Sequence, residues 1–191
     1  MSFRPVDAAH SALLDGLEVP AGMLALGDFL EVPEGREPSG AMRGIADPDG
    51  AIYGWLARVG PTRAVVLVLV TATETHVYLT RLTPAVGGLL SAPTWAHREA
   101  VPYAQGIAAA VAQHRERVAN VANPVRVTTL DELQAELVRV RSKTIAWRQS
   151  EPPAALLDAD LRSMLGRHYD TLGARLAKRL RVDLPEARVV S

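Results

Sequence analysis

An α+β domain, with a three- to four-stranded, mainly antiparallel sheet covered by helices and a helical C-terminal section, follows from three features of the chain. The stretch Ala51 to Pro84, AIYGWLARV-GPTR-AVVLVLV-TATE-THVYLTRLTP, holds three apolar, β-branched and aromatic runs separated by two short turns, the pattern of an antiparallel meander over residues 51–83. Apolar residues recur at helical spacing after residue 102 and again after residue 129. Apolar residues make up 48% of the 191, enough for a single core at this length.

Taken in order, Asp7 can cap a helix whose apolar stripe is Ala9, Leu13, Leu14 and Leu17, with Gly16 and Pro20 at its end. Residues 21–32 fit a strand or a second short helix, because periodicity alone does not separate the two. Residues 33–50 read as a loop that closes in a tight turn, Asp47-Pro48-Asp49-Gly50. In the first meander run Tyr53, Trp55, Ala57 and Val59 share one face, and Ile52, Gly54, Leu56 and Arg58 the other. The middle run, AVVLVLV, has no polar residue on either face and reads as a strand buried on both sides. The third alternates as a half-exposed strand, so the first and third flank the second.

Pro84 to Pro93, with its Gly87-Gly88 pair, is a connection, and a helix is expected from about Pro102 to Val121, stopped by Asn123-Pro124. Val125 to Val127 can form a short strand. Thr129-Leu-Asp-Glu132 is a capping box that opens the next helix. Its apolar seam, Leu130, Leu133, Leu137, Val140, Thr144 and Trp147, ends before Pro152-Pro153, which can start another helix. Residues 154–181 hold leucines in helical register and fit one helix or two, broken near Gly166; the last ten residues read as a tail or an edge strand. The expected organisation is an α+β core over residues 1–128 and a helical section over 129–191, packed on that core as a single domain.

Composition narrows the function classes. The absence of cysteine removes disulfides, thiolate metal sites and cysteine nucleophiles. The opening decapeptide lacks the apolar core of a signal peptide, and the longest apolar run is too short to span a bilayer, so the expectation is a cytoplasmic protein without membrane contact. Charge is uneven: residues 1–60 carry four cations against nine anions, and residues 139–181 ten cations against four anions. Such asymmetry suits electrostatic self-association or an anionic partner such as nucleic acid. Arg139, Arg148, Arg162, Arg167, Arg175, Lys178, Arg179 and Arg181 are the residues that would meet phosphates. The seam residues Leu130, Leu133, Leu137, Val140 and Trp147 would serve a protein partner or a second copy of the chain.

Catalytic signatures are sparse. His10, His76, His97, His114 and His168 form no close ligand pair and read as surface or capping residues; no phosphate-binding loop or Gly-x-Ser-x-Gly elbow is present. No cofactor or metal set is predicted. Asp28, Glu99, Asp131 and Asp170 are the acids placed for comparison as catalytic candidates. Three antiparallel strands, a helix, a short strand and further helices resemble the topology of ribonuclease-H-like folds, and that resemblance implies carboxylates holding two magnesium ions for nucleic-acid processing. It covers residues 51–180 without a specific motif, and the first meander strand contains no Asp. Arg162 to His168 is similar in spacing to the Arg–His pair of HEPN-type helical ribonucleases. The leading expectation is a non-enzymatic binding or assembly protein that uses its C-terminal helices as the partner surface. The alternatives are the metal-dependent nucleic-acid enzyme and a structural component of a larger assembly.

Overall fold

The structure is a computed structural model that describes residues 2–32, 38, 40–59, 64–83 and 92–165. A seven-stranded mixed sheet runs through them, its strands in sequence order from edge to edge: β1 (Ser2–Pro5), β2 (Leu24–Val32), β3 (Ala41–Ala46), β4 (Tyr53–Val59), β5 (Ala64–Ala72), β6 (Val77–Thr83) and β7 (Ala96–Pro102). All neighbours are antiparallel except β6 and β7, which are parallel. The helices are α1 (Ala8–Ser11), α2 (Gly106–Val118), α3 (Leu130–Ser150) and α4 (Pro153–Leu165).

The meander is as expected: β4 and β6 flank β5, and residues 66–72 of β5 are buried on both faces. The expected count of three to four strands is too low. Residues 21–32 form β2, whose alternation is broken by a register shift between Ala25 and Gly27. The predicted loop 33–50 contains β3, a short strand of Ala, Met, Arg, Gly and Ile that carries no run of β-branched residues. The Asp47–Gly50 turn is present, closed by the Gly50 amide donating to the Asp47 carbonyl at 3.0 Å. The helix expected from Pro102 begins at Gly106, after a 3-10 turn at Tyr103–Gln105, because residues 96–102 belong to β7. No strand is assigned at 125–127, but the Val125 and Val127 amides donate to the carbonyls of Ala72 and Gly50. The predicted N-terminal helix is one turn long: Asp7 caps it, and Leu14 and Leu17 reach the core from the turns that follow.

Each face of the sheet has its own core. On one, Ile45, Leu56, Leu67, Leu69 and Val101 pack against Ala110, Val111 and Val118 of α2 and against Leu14 and Leu17. On the other, Phe29, Met42, Tyr53, Val66, Val68, Val70 and Val77 pack against Leu133 of α3. The alternation read in the first meander run is the one that sorts these clusters. Small residues let α2 come close to β5, β6 and β7: its inward positions include Ala110, fully buried.

α3 faces the sheet with larger side chains. Its N-terminus is held by the capping box, with the Thr129 hydroxyl accepting from the Glu132 amide and Glu132 accepting from the Thr129 amide. The helix stops at Glu151, ahead of Pro152, and Pro153 opens α4. Leu133 sits over Gly44, where a Cβ would lie 2.7 Å from a Leu133 methyl, and Leu130 similarly lies 3.0 Å from the position of a Cβ at Gly27. The two glycines give the leucines their room.

Candidate functional site

The sequence-selected acids occupy separate places. Asp28 on β2 accepts two hydrogen bonds from Arg43, at 2.9 and 3.0 Å, and Arg43 also donates to the Leu17 carbonyl. Glu99 lies on β7, 3.5 Å from Arg117 of α2. Five strand spacings separate β2 from β7, about 24 Å along the sheet. Asp131 is in the first turn of α3, on the opposite face of the sheet from the Glu99–Arg117 pair. Asp170 lies outside the described residues. Among the described residues, no group of three or more His, Asp or Glu side chains is placed to hold a metal ion.

The arginines of the described C-terminal helices are engaged with carboxylates, and Lys143 lies over the Trp95 ring. Arg139 donates to both Glu136 oxygens at 2.6 and 2.5 Å, Arg148 to Asp160 at 2.7 Å and Arg162 to Asp158 at 2.8 Å. Arg167, Arg175, Lys178, Arg179 and Arg181, and the His168 end of the Arg–His spacing, lie outside the described residues. Among the described residues, no helix is long and apolar enough to cross a membrane.

The seam of α3 faces its own sheet. Leu133 is fully buried, and Leu130, Leu137 and Val140 pack against the same cluster; Trp147 is half-buried. Packing beneath α3 is incomplete. A largely apolar cavity of about 150 Å³ lies between Leu137 and Val140 of the helix and Phe3, Met42, Tyr53, Trp55, Val70 and Leu79 of the sheet. A second, of about 340 Å³, shares Glu31, Met42, Trp55 and Leu79 with it and continues along the sheet over Ala57, Val66 and Val68 towards Arg81 and Arg98. The reason is steric: α3 meets the sheet through leucine, valine and glutamate side chains, while Ala57, Val66, Val68 and Val70 leave space beside the larger Tyr53 and Trp55. The larger volume falls at the low end of small-ligand pockets.

A buried polar group closes one end of the smaller cavity. The Tyr53 hydroxyl donates to Glu136 at 2.9 Å, and Arg139 completes the carboxylate's bonding. Burial, and then the adjacent Glu136 carboxylate, push the Tyr53 hydroxyl well above its ordinary value. Hydrogen bonding to Glu136 raises the Arg139 guanidinium. Tyr53 therefore stays a neutral donor, and the trio fixes α3 to β4. At the other end Glu31 of β2 pairs with Arg141 of α3.

Two histidine arrangements escaped the sequence reading, which placed all five at the surface or at caps. His114 of α2 is fully buried. The Thr71 hydroxyl donates to the Ala51 carbonyl at 3.0 Å, so its oxygen accepts from His114 Nε2 at 3.2 Å, and the Thr80 hydroxyl donates to Nδ1 at 2.8 Å. Burial first, and then Arg117, lower the imidazole to about 4, so it is neutral at pH 7. His76 and His97, on neighbouring parallel strands, stack with centroids 5.4 Å apart. The signal available for His114 was its position four residues before Val118 on the buried stripe of α2; the His76–His97 contact depends on a strand pairing that spacing does not show.

Comparison of the chain with known protein families, with curated proteins and with solved structures finds no match.

Proposed function

We propose that this chain is a non-enzymatic binding protein whose ligand site is the apolar cavity that α3 forms with the sheet, the ligand being a small molecule with an apolar body. The observation that carries the reading is the pair of cavities sharing Trp55, Met42 and Leu79, one of them roofed by Leu137 and Val140. Concave, mainly apolar volume with a few polar groups at its ends is the general form of small-ligand sites. The separation of Glu99 from Asp131 across the sheet favours this reading over two-metal chemistry. The ion-paired arginines of α3 and α4 favour it over phosphate binding, since a paired guanidinium has less charge to offer a phosphate.

Trp55 supplies the test. In a protein with Trp95→Phe and Trp147→Phe, it is the sole indole, and titration with decanol is expected to shift its emission to shorter wavelength and to saturate. Val140→Phe, which fills the smaller cavity without adding an indole, is expected to abolish the response. An emission that never saturates, or one indifferent to Val140→Phe, contradicts the proposal.

A second reading, assembly with a protein partner or a second copy, has its own observation. Val138 and Ile145 are 39% and 47% exposed, and their spacing of seven puts them on one outward stripe of α3. Light scattering of the wild type against Ile145→Glu checks it: loss of a dimer in the variant supports association through this stripe, and a monomer in both excludes it.

A further inference from the structure

The turn between β5 and β6 and the end of α2 border a cleft of about 800 Å³, remote from α3, whose lining includes Thr75, His76, Tyr78, Arg117, Asn120 and Asn123. Its position is set by local structure. The Thr73 hydroxyl accepts from the amides of Thr75 and His76, at 3.3 and 3.0 Å, which shapes the turn that delivers His76 to the cleft. Across from it α2 ends at Val118, and the chain leaves through Asn123 in the left-handed region at φ 51°, a conformation that Asn tolerates.

Two rings of β6 form one wall. His76 and Tyr78 are two residues apart and therefore share a face of the strand. His97 of β7, the parallel partner of Tyr78, stacks on both: 4.8 Å from Tyr78 with planes 20° apart, and 5.4 Å from His76 with planes 17° apart. His97 does not line the cleft, whereas His76 and Tyr78 do. The two rings are thus backed by His97 on the β7 side and meet the cleft on the other. Arg117 takes the Tyr78 part of that wall, its guanidinium carbon 5.8 Å from the ring centroid. The His76 part is exposed and, backed by His97, is left as a platform for a flat ring.

The rest of the lining selects among flat rings. Asn120 and Asn123 contribute exposed amides, and Thr75 a hydroxyl 2.9 Å from His76 Nδ1; such groups suit a ring with nitrogen acceptors and an exocyclic donor better than a hydrocarbon. The charge is unsuited to an anion. Arg117 is committed to Glu99 at 3.5 Å and to the Leu79 carbonyl at 3.1 Å, Glu74 is exposed at the rim, and the C-terminal end of a helix carries partial negative charge.

We propose that this cleft binds a neutral heteroaromatic base of nucleoside size, stacked on His76 and hydrogen-bonded by Asn120 and Asn123, and that it discriminates against the phosphorylated form. Adenosine and adenosine monophosphate are the probes, titrated into the full chain and followed by the ring-proton NMR signals of His76 and His97. Adenosine is expected to shift the His76 signals saturably, and the monophosphate to bind at least several-fold more weakly. His76→Ala should weaken adenosine at least tenfold, while His76→Phe, which keeps a flat ring, should retain it; thermal melts of both variants confirm that they are folded. Absence of a saturable shift at millimolar adenosine overturns the proposal. So does binding indifferent to His76→Ala, or a monophosphate that binds more tightly than the nucleoside.

Discussion

The two faces of this sheet bury the same strands by different means. Against α2 the packing is close, permitted by Ala110 and fixed by the buried Thr71–His114–Thr80 chain. Against α3 the helix stands off on Leu130, Leu133, Leu137 and Val140, and space remains beneath it. Alternate residues of β5 thus meet different surroundings: Leu67 and Leu69 pack beneath α2, while Val66, Val68 and Val70 border the open volume on the α3 side. Close packing beneath α2 sets stability, whereas space beneath α3 can take a ligand without dismantling the core.

The sharpest contrast is expected from one substitution made on each side. Leu67 is fully buried on the α2 face, and Leu67→Ala should cost about 2–5 kcal/mol, with little scope for collapse in a close-packed surrounding. Leu137 is half-buried and already borders open volume, so Leu137→Ala should cost under about 2 kcal/mol. Urea melts measure both, and equal losses would erase the distinction.

Acid should act through the α2 face. His114 is neutral in the fold and held at about 4, whereas an unfolded-state histidine takes up its proton near pH 6.5. Below that pH the unfolded state binds more protons, so the stabilisation is fully present above about pH 6.5 and is lost as pH falls towards 4, by roughly 3 kcal/mol in all. Stability measured across that window should fall for the wild type and flatten for His114→Gln, which keeps a polar side chain in place.

Enlarging side chains gives a smaller contrast. Ala110→Leu forces volume into the closed side and is expected to destabilise by about 1–3 kcal/mol. Val140→Leu grows into the space under α3 and should change stability by less than about 0.5 kcal/mol in either direction. Thermal melts of the pair decide it, and a heavy loss for Val140→Leu would mean that the space under α3 cannot be filled.

Legibility in the sequence follows from how local each feature is. The β4–β5–β6 meander, the Asp47–Gly50 turn and the Thr129 capping box are written in contiguous residues, and each is found. β2 was ambiguous because the register shift between Ala25 and Gly27 breaks its alternation. β1 was missed because its four residues, Ser2 to Pro5, are too few to carry an alternation, and β3 and β7 because Gly44, Arg98 and Glu99 sit where β-branched residues usually signal a strand. The paired cavities are assembled from β1 to β7 and α3, and the His76–His97 stack from a parallel pairing. Neither leaves a pattern along the chain, and both emerge only when the sheet order is known. The acids drew attention by residue type, yet Asp28 is engaged by Arg43 and Glu99 by Arg117.

Methyl NMR of the full chain during a decanol titration tests the difference between the faces most directly. The account predicts saturable shifts at Val66, Val68, Val70, Leu79, Leu137 and Val140, with Leu67, Leu69, Val111 and Val118 unmoved. Shifts spread evenly over both sets, or confined to the α2 side, would contradict it.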